Sequence, residues 1–139
     1  MNAAVSQLKW VLRVLGVIDL LALAAVFMSR EQMATLHLWS GLGTFPEGAV
    51  VGYLARSASS MYALHGALIL YLSTDVVRYF AVIRFLAYAA LVHGGVIFTI
   101  DFIEPMPAWW RWAEGPCFAG TGLIVLCMQR RVSTSTNPD

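Results

Sequence analysis

Charge is what this chain has least of. Only 12% of its 139 residues are Asp, Glu, Lys or Arg, while 59% are apolar. A soluble domain carries roughly 25% charged residues, so the deficit points to lipid rather than water as the solvent. Cysteine is nearly absent too. Cys117 and Cys127 are ten residues apart in one apolar run, hence about 15 Å along a helix and too far to pair. No CxxC pair occurs, and no nucleotide, zinc, serine-hydrolase or phosphate-loop motif. The glycines of GLG at 41–43 stand alone in a loop and read as turn chemistry. A net charge of +1 provides no basic patch for nucleic acid.

What is present is a set of long apolar stretches. A helix needs about 20 residues to cross the hydrocarbon layer. Four stretches meet that length: residues 8–28, 54–72, 79–102 and about 109–128. The alternation that a barrel requires is missing. The expected fold is all-α: an integral membrane bundle of four antiparallel transmembrane helices, one domain over 1–131, with a short outer interfacial helix. The first stretch is expected to be an uncleaved span rather than a signal peptide, because it is too long and contains Asp19. The Ser- and Thr-rich tail at 132–139 is expected to be disordered.

Lysine and arginine set the orientation. Lys9, Arg13, Arg78, Arg84, Arg130 and Arg131 fall on one side, and Arg30, Arg56 and Arg111 on the other. This places both termini in the cytoplasm, with the bacterial inner membrane as the location. Trp39, Trp109, Trp110 and Trp112 mark the outer boundary, and Trp10 the inner one, because tryptophan is apolar with one wet N–H.

The connections carry their own signals. Ser29 followed by Gln32 fits a capping box, and Gly41 a helix stop. Asp75 is placed to cap the third span. Pro105 and Pro107 prevent that span from continuing. Pro116 either kinks the fourth helix or forces it to begin near Glu114. Lipid gives helices no hydrophobic reason to associate, so small residues should form their contacts. Ser59, Ala63, Gly66 and Ala67 lie on one ridge of the second span. Ala87, Ala90 and Gly94 lie on the third, and Gly115, Ala119 and Gly122 on the fourth.

Five ionisable residues fall at membrane depth, where such groups are functional by default. Counting 1.5 Å per residue puts Asp19 about 15 Å and His65 about 12 Å from the inner boundary. The same count puts His93 at about 21 Å, Glu114 at about 22 Å and Arg56 at about 25 Å. Two polar contacts follow: Asp19 with His65, and Arg56 with Glu114, shared with His93. The second set forms the expected ligand-binding or structural cluster. Bis-histidine haem would need His65 and His93 at one depth, and they differ by about 9 Å. No cofactor or metal is expected, although haem or chlorophyll-type ligation by His65 or His93 stays open. No residue is assigned to catalysis.

The segments RVLGVIDLLAL, LHLWSGLG, ARSASSMYALHG and MPAWWRWAEGP give the chain a layout that resembles small bacterial four-helix membrane proteins of the DoxX-like kind. The resemblance implies a role beside quinone-linked or thiol-redox membrane complexes. Two functions are carried forward. One is a non-catalytic accessory or scaffold subunit whose partners are the bilayer and other membrane subunits or a second copy. The other is a binding protein or enzyme for a lipid-like ligand such as a quinone, using Arg56, His93 and Glu114.

Overall fold

The structure, a computed structural model, describes residues 3–104 and 106–136. Every regular element among the described residues is a helix. In order they are α1 (Ala3–Leu21), α2 (Leu23–Phe27), α3 (Arg30–Trp39), α4 (Ala49–Leu72), α5 (Phe80–Ile103) and α6 (Ala108–Thr136). α1 and α2 are separated at Ala22, where Ala22 N–H donates to Asp19 O (3.1 Å) and Ala25 N–H to Ala22 O (3.0 Å). These three-residue steps are a tightening of one helix rather than a turn.

Two helices among the described residues are long and apolar enough to cross a membrane: the 25-residue stretch Ala3–Phe27 and the 24-residue α5. Each is about 36 Å long, more than the ~30 Å hydrocarbon core. α4 and α6 match them in length but not in composition. α4 carries Arg56, three serines and His65, and α6 carries Arg111, Glu114, Gln129 and two terminal arginines. Of the four expected spans, length and composition together single out two.

Other expectations meet the structure locally. Ser29 Oγ accepts from Gln32 N–H while Gln32 Oε1 accepts from Ser29 N–H (3.2 and 2.8 Å), so α3 opens on a capping box. Gly41 follows its end with φ +79°. Asp75 does not cap α5. Its carboxylate accepts from Arg78 N–H (3.0 Å) within the preceding turn, and Tyr79 occupies the cap position. The reason is spacing: Asp75 is one turn too early to reach the free N–H groups of α5. α6 runs unbroken through Pro116 to Thr136, so the segment from Val132 to Thr136 is helical where a tail was expected. Val132 is buried, and its packing holds that last turn. Residues 137–139 and Pro105 lie outside the described residues.

The chain divides into two compact units. One comprises Val14–Leu70, and the other the described residues up to Arg13 and from Tyr71 onward. In the first, α1 and α4 meet through glycine. A Cβ on Gly66 would stand 2.6 Å from both Gly16 O and Leu20 N, so the two backbones touch with no side chain between them. Ala63 and Ile69 are buried nearby in sequence.

The second unit is organised by α5 and α6. A Cβ on Gly94 would lie 2.7 Å from Ala119 N and Gly115 O, and one on Gly122 2.5 Å from Ala87 O. Heptad spacing places Ala87, Gly94 and Asp101 on one seam of α5, and Gly115, Gly122 and Gln129 on one seam of α6, and all six are buried. Leu8, Leu12, Leu72, Val76, Ile83 and Val125 complete this core. Outside it, large apolar side chains such as Phe85, Val92, Ile103 and Leu123 are exposed. Small residues line the α5–α6 seam, and large apolar side chains cover much of the outside as well as part of the core.

Candidate functional site

In the unit Val14–Leu70, Asp19 sits in the last turn of α1 and His65 in the middle of α4. The Gly16–Gly66 contact brings the two helices so close that Asp19 and His65, each beside one of those contact points, face each other. His65 Nδ1 and Asp19 Oδ2 are 2.8 Å apart. The pair is not enclosed: 46% of the imidazole and 24% of the carboxylate remain exposed. The carboxylate orients the ring through Nδ1, which leaves Nε2 as the nitrogen not engaged among the described residues.

Arg56 lies about two and a half turns earlier on α4 and is half-buried. Its Nη2 donates to Met28 O (2.8 Å), its Nε to Val26 O (3.2 Å) and its Nη1 to Gly52 O (3.4 Å). The guanidinium is thus turned to backbone carbonyls of its own unit. The physical reason is the end of α2. Met28 turns extended at ψ 141°, so the last carbonyls of the helix have no N–H partners of their own. They also carry the negative end of the helix dipole. A planar guanidinium satisfies two of them at once.

The other three residues of interest belong to the second unit. Glu114 accepts from Trp110 Nε1 one turn earlier on α6. His93 is exposed on α5, with its ring edge-on to Phe118 of α6 at 4.8 Å. Each of Arg56, His93 and Glu114 thus has a neighbour within its own unit. The tryptophans divide similarly. Trp10, Trp39, Trp109 and Trp112 are exposed, and Trp110 is held by Glu114. Trp112 packs against Phe98 and Phe102 at the α5–α6 mouth, with ring centroids 5.6 and 6.3 Å away.

Two buried polar residues were not singled out by the sequence. Asp101 is 3% exposed with Oδ2 unpartnered, and Gln129 is 1% exposed. Gln129 Nε2 donates to Phe80 O (2.8 Å), but its Oε1 has no partner among the described residues. They end the two glycine seams, and their heptad offset from Gly94 and Gly122 was the available signal. Arg111, whose guanidinium lies 5.1 Å from the Phe102 ring, has an unpartnered Nε. Among the described residues no three His, Cys, Asp or Glu side chains converge as metal ligands would.

Comparison with protein families, curated proteins and solved structures finds no match to the chain. The functional reading rests on these contacts alone.

Proposed function

We propose that this chain is a small integral protein of a bacterial cytoplasmic membrane that crosses the bilayer four times with both ends inside, and that it serves as a non-catalytic accessory or scaffold subunit of a larger membrane complex. In this reading α4 and α6, with their extra polar groups, cross alongside the two more apolar helices. The observation that carries it is the half-open Asp19–His65 pair on the surface of α1 and α4. An ionisable group facing hydrocarbon costs at least ~2.5 kcal/mol. A polar side chain from another subunit, hydrogen-bonded to the free imidazole nitrogen, removes that cost. Exposed His93, also without a hydrogen bond among the described residues, supports a second polar contact of the same kind. The alternative is a binding protein or enzyme for a lipid-like ligand such as a quinone, which would use Arg56, His93 and Glu114.

Gentle extraction from native membranes, followed by native electrophoresis, tests the proposal. The chain is expected in a complex much larger than itself, and His65→Ala is expected to release it while leaving it folded. Recovery of the wild-type chain as a free monomer, or a His65→Ala variant that stays in the complex, would overturn the subunit role.

A further inference from the structure

Between α3 and the loop that follows it lies a cleft of about 350 Å³ lined by Arg30, Ala34, Leu38, Thr44, Phe45 and Glu47. That volume lies within the range of small-ligand sites. Its floor is a stripe of one helix. Arg30, Ala34 and Leu38 recur every four residues and so lie one above another on α3. Its wall is the loop 44–47, which folds back because the glycines at its two ends, Gly43 (φ +84°) and Gly48 (φ +107°), take left-handed conformations.

The wall is clamped by side chains of α3. Arg30 Nη2 donates to Pro46 O (2.7 Å) and Nη1 to Gly48 O (3.2 Å). The Phe45 ring lies 5.3 Å from the Arg30 guanidinium and edge-on to His37 at 5.4 Å, and His37 Nδ1 is 3.0 Å from Gly43 O. Arg30 has five N–H donors. Two are used on the loop, and three are left for an anion. Glu47 faces the same cleft, and its carboxylate has no hydrogen bond among the described residues. A cation and an anion therefore share one small cavity whose floor becomes apolar toward Leu38.

We infer that this cleft binds the headgroup of a zwitterionic phospholipid. The phosphodiester lies on Arg30, as phosphate does in bidentate guanidinium pairs. The ammonium lies on Glu47, and the glycerol and first acyl carbons run over Ala34 and Leu38. A polar-to-apolar gradient along a single stripe matches a lipid better than a free solute. So does the position of α3, which begins three residues beyond the end of the apolar stretch Ala3–Phe27. The inference rests on the membrane reading above but not on the subunit role.

Native mass spectrometry of the full chain with defined lipids tests it. Phosphatidylethanolamine is expected to stay bound where phosphatidylglycerol does not. Glu47→Gln is expected to weaken phosphatidylethanolamine binding roughly tenfold, the worth of one charge-assisted hydrogen bond. Glu47→Lys is expected to reverse the preference toward phosphatidylglycerol. Neither variant touches the Arg30 clamp, so thermal unfolding should match wild type. Equal binding of both lipids, or a Glu47→Gln variant that binds like wild type, overturns the site. Soluble phosphoethanolamine binding as tightly as the lipid overturns the lipid assignment. A chain that fails to enter bilayers at all sinks the membrane reading instead, and one that enters and keeps its partner but ignores the zwitterionic lipid sinks only the cleft.

Discussion

Arg56 shows how a helix end recruits a charge that sequence spacing would give to a carboxylate. Its fork spans Val26 O and Met28 O, two carbonyls freed where α2 gives way to extended backbone. Lysine keeps the charge but offers one point of contact. Arg56→Lys is therefore expected to lower stability in detergent by about 1–2 kcal/mol, through one charge-assisted hydrogen bond lost and one carbonyl unmet. Thermal unfolding measures it, and an unchanged midpoint would show that water replaces the guanidinium. Asp101 is the opposite case. A buried carboxylate with Oδ2 unpartnered is a cost, not a contact. Asp101→Asn is expected to raise stability by ~1 kcal/mol. A loss of stability instead would mean that the ionised oxygen is paired in the working protein.

At the scale of elements, backbone proximity decides the outcome. Gly94 and Gly95 are neighbours on α5 with the same intrinsic helix propensity. A methyl on Gly94 meets α6 backbone at 2.7 Å, while one on Gly95 meets nothing within 4 Å. Gly94→Ala is expected to destabilise by about 1–3 kcal/mol through overpacking. Gly95→Ala is expected to stabilise by about 0.5–1 kcal/mol, because alanine is the better helix former. Unfolding of both variants in the same detergent checks the pair. If both move the same way, the α5–α6 seam is not in close contact. The small-residue spacing that suggested this seam was visible in the sequence. That spacing already put Gly94 on the seam, but how closely the facing backbone approaches it was not visible, because that depends on the partner helix.

The whole molecule raises the question of how many times it crosses the membrane. Two helices have both the length and the composition, and two have the length alone. If all four cross, both termini lie on one side, and in the proposed orientation protease or membrane-impermeant labels added from outside should reach the loop 40–48 but neither end. Termini on opposite sides would reduce the spans to an odd number and overturn the proposed topology. The fact that α4 and α6 are less apolar does not by itself decide this. A polar group tolerated in a span is one with a neighbour, and Arg56 and Glu114 each have one.

Local rules of the chain determined what depends only on neighbours in sequence. The capping box at Ser29 and Gln32 and the glycine stop at Gly41 are satisfied within a few residues, so spacing alone settles them. Helix content followed from the long apolar runs, and Pro116 does not interrupt the last of them. Counting depth paired Asp19 with His65, and tertiary structure decided how the polar groups are met. Asp19 and His65 face each other because Gly16 and Gly66 let two backbones touch. Arg56 turned to carbonyls that exist as acceptors only once α2 has ended. Asp101 and Gln129 became buried because they continue glycine seams whose rotation is set by the facing helix. Depth along an axis can be counted from sequence, but the angle around it is set by what packs alongside, and polar contacts depend on both.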